Sequence, residues 1–91
     1  MASKSIISNE KKCFLCGNHQ NIEYHHCYGG KNRKISDQNG FTVYLCHQCH
    51  FEVTNNMNWK DGYLKALCQA AYEADHPREL FMKLVGRNYL D

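Results

Sequence analysis

The sequence predicts a small α+β domain in which a two-stranded hairpin comes first and helices follow. Cys13 and Cys16 form a Cys-x-x-Cys pair before the hairpin, and Cys46 and Cys49 form a second pair directly after it. From residue 61 onward the apolar residues recur at the spacing of amphipathic helices. A chain of 91 residues buries little apolar surface, so we expect the cysteines to supply an additional staple.

The chain is predicted to consist of a flexible N-terminal arm, residues 1–11, and one domain, residues 12–91. The arm is polar and has no apolar run, so it does not have the pattern of a signal peptide. No stretch is long and apolar enough to cross a membrane. We therefore expect the protein in a reducing cytoplasm.

Two segments have the composition of β-strands. Residues 22–27 (IEYHHC) predict a short strand, and residues 41–45 (FTVYL) are mostly β-branched and aromatic, which predicts the clearer one. Residues 28–40 (YGGKNRKISDQNG) are polar, basic and glycine-rich. This composition predicts a loop between the strands.

The C-terminal half is predicted to be helical. One helix should begin near His50 and be interrupted by residues 55–58 (NNMN). Residues 61–73 have an amphipathic pattern, with Asp61 as a first-turn acid. A last short helix should begin at Pro77 and stop at Gly86, because proline suits a first helical position and glycine a helix end.

The four paired cysteines are expected to bind one zinc ion. Thiols stay reduced in the cytoplasm, where Cys-x-x-Cys pairs favour a metal over a disulfide. Four thiolates make a closed tetrahedral site, so this zinc would be structural. The alternative is a disulfide framework among the six cysteines. Cys27 and Cys68, which remain outside the pairs, are predicted to be small core residues.

Three histidines accompany the cysteine pattern. His25 and His26 lie near the end of the first predicted strand, and His50 directly follows the second cysteine pair. Neighbours on a regular strand point to opposite faces, so His25 and His26 share a site only if the strand ends or twists there. Gly29 and Gly30 make such a change feasible. The spacing alone leaves structural and functional roles equally open.

Charge gives a weaker indication. The formal net charge is +2, and zinc with four thiolates would bring it near zero, so bulk charge does not drive binding to nucleic acid. The tightest basic group is Lys31, Arg33 and Lys34. These side chains would make a few local phosphate contacts, or they belong to a solvated loop.

The order of these motifs resembles the HNH endonucleases, which are also called ββα-metal nucleases. The resemblance rests on a Cys-x-x-Cys pair, a His-His pair, a glycine-rich segment, a strand and the sequence LCHQCH. The stretch YHHCYGGKNRKIS followed by GFTVYLCHQCH is especially similar to small HNH-type proteins of phages and prophages. A C-terminal run at residues 78–90 extends the resemblance over about residues 12–90.

The resemblance implies a zinc-stapled ββα-metal core with C-terminal helices and a metal-dependent DNA endonuclease activity in a bacterial host cell. His25 and His50 would bind a catalytic divalent ion, Mg²⁺ or Mn²⁺, and His26 would be the general base. A third ligand, on or after the helix, would be Asn58, with Asn55 and Asn56 as neighbouring candidates. The products would carry 5′-phosphate and 3′-hydroxyl ends.

A second interpretation stays open. Many HNH proteins place an asparagine just before the Leu-Cys of the second strand, where this chain has Phe41 and Asn39 is close but displaced. Related phage sequences have a histidine where Asn58 stands. The alternative is a non-catalytic zinc-stapled module that binds nucleic acid or a protein. DNA is the expected partner of the enzyme. A monomer of this size would nick DNA, whereas a homodimer would bring two active sites together.

Overall fold

The architecture is α+β, as the sequence predicts. A computed structural model describes residues 4–90. Its regular elements follow one another in the order β1 (Ile22–His26), α1 (Arg33–Asn39), β2 (Thr42–Cys46), α2 (His47–Thr54), α3 (Lys60–Glu73) and α4 (Arg78–Val85). A short 3-10 turn, Gly30–Asn32, leads into α1.

The two strands form an antiparallel sheet, and α2 follows β2 without a loop. Tyr24 pairs with Tyr44 across the sheet, and His25 pairs with Val43. Because side chains alternate along a strand, Tyr24 and Tyr44 lie on one face while His25 and Val43 lie on the other. Val43 is 1% exposed, so the second face covers the core.

The predicted loop over residues 28–40 is wrong, because residues 33–39 form the helix α1. The helix is polar because its one buried residue is Ser36, which is fixed by hydrogen bonds. The Ser36 hydroxyl donates to the Tyr28 carbonyl at 2.7 Å and accepts from the Tyr28 amide at 3.1 Å. Gly40 then ends the helix in the left-handed conformation, with φ of 73°.

An aromatic cluster joins the hairpin to the C-terminal helices. The ring centroids of Tyr28, Phe41 and Phe81 lie 5.2 to 5.9 Å apart, and all three side chains are buried. The Tyr28 hydroxyl donates to the carbonyl of Lys65 in α3. These contacts place α3 and α4 against the strands, and they fix the position of the segment between β1 and β2.

The unpaired cysteines take the positions that the sequence predicts. Cys27 is 2% exposed and Cys68 is fully buried in the same core. Neither lies in the group of cysteines that could hold a metal. Both are therefore core residues, as expected for a free cysteine in a small domain.

The described part of the N-terminal segment lies against the sheet. The Ser5 hydroxyl donates to the Thr42 carbonyl, and the Ile6 amide donates to the Gly40 carbonyl at 3.0 Å. A Cβ at Gly40 would lie 2.2 Å from the carbonyl oxygen of Lys4, so only glycine admits this approach. The predicted flexible arm is thus attached from residue 4, and residues 1–3 lie outside the described part of the chain.

Within residues 4–90, the helices are too short or too polar to cross a lipid bilayer.

Candidate functional site

The four paired cysteines converge on one point, as the sequence predicts. The sulfur atoms of Cys13, Cys16, Cys46 and Cys49 all lie within 4.8 Å of one another. The sulfurs of Cys16 and Cys46 are 3.7 Å apart. Tetrahedral zinc with Zn–S bonds of about 2.3 Å requires sulfur–sulfur distances of about 3.8 Å. These residues can therefore hold a metal ion, and the spacing is consistent with zinc.

Backbone hydrogen bonds fix the two cysteine pairs relative to each other. The Gly17 amide donates to the Cys13 carbonyl at 2.8 Å, which closes the first turn. The Phe14 amide donates to the Tyr44 carbonyl at 2.9 Å and ties this turn to β2. Since β2 ends at Cys46, the strand itself carries the second pair to the first.

The chemistry of this group also fits a cation. Cys13, Cys46 and Cys49 are buried, and only Cys16 is exposed. Burial, together with the nearby sulfurs of Cys13 and Cys46, raises the pKa of the Cys49 thiol. Four thiolates at this separation repel one another unless a cation lies between them. All four tetrahedral positions would be taken by protein atoms, which is the arrangement of a structural zinc site.

The three histidines singled out by the sequence line one cleft. His25, His26 and His50 border a cavity of about 470 Å³ between the end of β1, α2 and α3. His26 keeps the alternation of the strand, because it pairs with Thr42 and its ring packs on Tyr24, on the face opposite to His25. Both histidines nevertheless border the same cavity, which lies at the end of β1. The imidazole centroids of His25 and His50 are 5.2 Å apart.

His25 has the properties of a neutral ligand. Its side chain is 8% exposed, and its Nε2 atom is buried without a hydrogen-bond partner among the described residues. Burial lowers the pKa of His25 to about 4, and the nearby His50 adds to this effect. A buried imidazole that stays neutral and leaves one nitrogen unpaired is suited to bind a metal.

His50 is held by a carboxylate that the sequence analysis missed. Its Nδ1 atom lies 2.5 Å from Oε1 of Glu23, and the other oxygen of Glu23 lies 2.8 Å from Nδ1 of His47. The two histidines lower the pKa of Glu23. With Nδ1 engaged, Nε2 is the nitrogen that His50 has left for a ligand. A carboxylate behind a histidine is the usual support of a metal-binding imidazole.

His26 is held by Asp37, a second residue that the sequence analysis missed. The His26 Nε2 atom lies 2.8 Å from Oδ1 of Asp37, which belongs to α1. The Tyr24 ring packs edge-on against the same imidazole, with centroids 5.2 Å apart. These two contacts fix the ring of His26 at the border of the cleft.

The structure does not bring Asn58 to the cleft. Its side chain is exposed, its Oδ1 accepts from the Lys60 amide at 3.0 Å, and its Nδ2 donates to Glu52 at 3.2 Å. Asn58 thus bonds to the first amide of α3, as a helix cap does, although the N-cap position itself is Trp59. The carboxylate that α3 does place at the cleft is Asp61, whose Oδ2 accepts from Lys65 at 3.0 Å. The ligand role of Asn58 stays a prediction, and Asp61 is the alternative that geometry offers.

Only one member of the predicted basic group borders the cleft. Arg33, the first residue of α1, lies on its rim. Lys31 and Lys34 are exposed nearby and do not line the cavity. Arg33 is therefore the member of the group best placed for an anion held at the histidines.

The cleft differs from the cysteine group in the number of donors that it brings together. Among residues 4–90, the four cysteines are the one group of three or more His, Cys, Asp or Glu donors that could hold a metal. In the part of the chain that the structure describes, His25 and His50 have no third donor of these types at that distance. An ion bound there would keep open positions for water and substrate.

Comparison with known proteins gives no match, whether the chain is compared with family models, with curated proteins or with solved structures.

Proposed function

We propose that this protein is an HNH-type endonuclease that hydrolyses DNA phosphodiester bonds with the help of a divalent ion. The observation that carries the proposal is the convergence of His25, His26 and His50 on one cleft with Arg33 at its rim. The three imidazoles come from two elements, β1 and α2, and each has a different environment. That difference suits three different roles.

His26 would act as the general base. A neutral imidazole can take a proton from water near neutral pH, which turns the water into a nucleophile for phosphorus. Asp37, at 2.8 Å from Nε2, would hold the ring in position and stabilise it once it is protonated. Nδ1 is the nitrogen that would accept the proton, because Nε2 is already engaged.

His25 and His50 would hold the catalytic ion, for which Mg²⁺ or Mn²⁺ is proposed. When bound, a divalent ion neutralises charge on the phosphate and on the leaving 3′ oxygen. His25 contributes an unpaired Nε2, and Glu23 orients His50. The third protein donor would be Asp61, which lines the cleft, or Asn58 after a movement of its segment.

The basic residues on α1 and on the turn before it would hold the substrate. Arg33 would contact a phosphate next to the cut, while Lys31 and Lys34 would contact more distant phosphates of the same strand. Such contacts position DNA without reading its sequence.

A single copy has one cleft, so we propose that a monomer nicks one strand and that only a homodimer would cut both. We further propose that a phage or prophage encodes the protein and that it acts in the cytoplasm of a bacterial host.

A non-catalytic module that binds nucleic acid or protein remains the alternative function. It is favoured by the small number of ligands for a second ion, because among the described residues no third donor lies close to both His25 and His50. Such a module would use the cysteine group to hold the hairpin and would need neither His26 nor an exchangeable ion.

Nicking of a supercoiled plasmid distinguishes the two functions. The wild-type protein should convert it to the open-circular form in Mn²⁺, and His26→Ala should be slower by about 10²- to 10⁴-fold, the usual contribution of a general base. His19→Ala is the matched control, because His19 is exposed and lies outside the cleft. It should cleave at the wild-type rate.

Two results would overturn the proposal. One is the absence of nicking by the folded, zinc-containing wild type in both Mg²⁺ and Mn²⁺. The other is nicking by His26→Ala at the wild-type rate. Zinc content and circular dichroism of each variant separate loss of chemistry from loss of fold.

A further inference from the structure

A second groove lies on the Tyr24 face of the sheet and adjoins the histidine cleft. It has a volume of about 300 Å³ and lies between the N-terminal segment and the cross-strand pair of Tyr24 and Tyr44. Tyr24 lines both the groove and the histidine cleft. The two cavities therefore meet at this ring.

The tyrosines form a continuous aromatic path from the groove to the proposed general base. The Tyr24 ring lies edge-on to His26 at 5.2 Å and to Tyr44 at 5.4 Å. Its hydroxyl donates to Oγ1 of the buried Thr42 at 3.0 Å, so the ring is anchored at both ends. Tyr24 is nevertheless 38% exposed, and Tyr44 is half-buried. The groove thus offers flat apolar surface that is already held in place.

The charge of the groove suits a phosphate backbone. Lys4 is the one charged residue that lines it, and no carboxylate does so among the described residues. Ser8 and Asn9, also on the N-terminal segment, add polar groups at the rim. Aromatic rings beside a cation and without nearby acids are the features of a surface that binds unpaired nucleotides.

We propose that this groove binds an unpaired nucleotide next to the scissile phosphate, with its base against Tyr44 and Tyr24 and its phosphate near Lys4. The proposal rests on the nuclease function proposed above and specifies its substrate as a strand with at least one unpaired base beside the cut. A paired base is stacked inside a duplex and cannot present its face to the tyrosines. The groove would therefore select single-stranded or locally opened DNA.

The two tyrosines also form a cross-strand pair, and such pairs stabilise a hairpin. A structural role alone predicts that their loss lowers the melting temperature and leaves any preference for unpaired strands unchanged. Binding and stability must therefore be measured on the same variants.

The test uses fluorescence anisotropy with one labelled oligonucleotide, presented as a single strand and as a blunt duplex. The protein carries His26→Gln, which removes the proposed general base and retains a planar polar side chain beside Tyr24. Tyr44→Leu is compared with Tyr63→Leu, because Tyr63 is an exposed tyrosine on α3 that lines neither cavity. Arg33→Ala reports on the histidine cleft independently of the groove.

The single strand should bind more tightly than the duplex, and Tyr44→Leu should weaken only single-strand binding, by roughly 5- to 100-fold as for the loss of one stacked base. Tyr63→Leu should bind both as before. Equal affinity of Tyr44→Leu and its parent for the single strand would overturn the inference, as would the absence of any preference for the single strand.

Failure of the groove and failure of the nuclease function give different results. If Arg33→Ala weakens binding and Tyr44→Leu does not, the groove inference alone fails. If neither oligonucleotide binds, both proposals fail.

Should Tyr44→Leu not fold, 2-aminopurine placed at successive positions of the single strand should be quenched at one position in the His26→Gln protein. Unchanged fluorescence at every position would overturn the inference.

Discussion

The cysteine group and the histidine cleft are built on the same hairpin, yet they differ in how completely the chain surrounds an ion. β2 ends at Cys46, and β1 carries His25 and His26. The cysteine group has four donors within 4.8 Å of one another. In the cleft, the rings of His25 and His50 have centroids 5.2 Å apart, with open space beside them.

Under the proposed function, this difference separates a site for stability from a site for chemistry. A closed set of four sulfurs leaves no position for a substrate, so a metal bound there would only hold the chain together. An incomplete set leaves room for water and phosphate, and a metal bound there should exchange. We therefore expect substitutions in the cysteine group to change folding and substitutions in the cleft to change activity.

The largest effect is expected from Cys46→Ser. A structural zinc site can contribute roughly 10 kcal/mol or more of apparent binding free energy at neutral pH, which exceeds the net stability of most small domains. The variant should lose zinc and its cooperative thermal transition, as measured by calorimetry and metal analysis. Cys68→Ser, which alters a buried thiol outside the group, is the control and should retain zinc. An unchanged melting temperature for Cys46→Ser would disprove the four-cysteine site.

A smaller effect, confined to activity, is expected from His50→Ala. Loss of a residue that supports a metal ligand typically costs 10- to 100-fold in metal affinity or activity, so loss of the ligand itself should raise the Mn²⁺ concentration needed for nicking by about 100-fold or more. His47→Ala is the matched control, since His47 bonds to the same Glu23 carboxylate and does not line the cleft. Equal Mn²⁺ requirements for the two variants would rule out His50 as the ligand.

A still smaller effect on activity is expected from Asp37→Ala, which removes the partner of His26 and leaves the imidazole in place. Nicking at saturating Mn²⁺ should slow on the order of 10-fold, a part of the contribution of a general base. Because Asp37 acts through His26, kcat should fall while KM and the Mn²⁺ requirement stay unchanged. Asp75→Ala, at an exposed acid beyond α3, should have no effect. A change in KM alone would show that Asp37 positions the substrate instead.

The smallest effect is expected from Asn58→Ala. The hydrogen bond from the Lys60 amide to Oδ1 predicts a loss of about 1 kcal/mol of stability, as for other helix caps, with unaltered dependence on Mn²⁺. Asn58→Ser retains a capping side chain and should recover most of this stability. If Asn58→Ala instead shifts the metal titration at unchanged stability, Asn58 is the third ligand and Asp61 is not.

The features that the sequence predicts correctly are those that depend on neighbours along the chain. A Cys-x-x-Cys pair fits within one turn, so its spacing alone predicts a group of metal-binding cysteines. The two strands and the helices α3 and α4 likewise follow from local pattern. Convergence of Cys13 with Cys46 needs only that the hairpin closes, which antiparallel pairing of Tyr24 with Tyr44 achieves.

The features that the sequence does not reveal depend on contacts through space. α1 was missed because a helix that buries only Ser36 has no apolar stripe. Asp37 lies on that helix, so its contact with His26 depends on a helix that the pattern does not show. Glu23 on β1 contacts His50 on α2 only because the folded hairpin brings the two elements together. The motif LCHQCH could have drawn attention to Glu23. Glu23 pairs with Leu45 across the sheet, and Leu45 immediately precedes the second cysteine pair and its histidines.

The central claim is that the cysteine group holds a structural zinc and the histidine cleft an exchangeable ion needed for nicking. It is tested most directly by counting both ions in one sample. Protein dialysed against a weak chelator should retain one zinc per chain and lose nicking, and added Mn²⁺ should restore nicking as one further ion binds. His25→Ala should keep the zinc and lose both the second ion and the activity. Zinc-loaded, folded protein that binds no Mn²⁺ and does not nick at any Mn²⁺ concentration would contradict the claim that the cleft holds a catalytic ion.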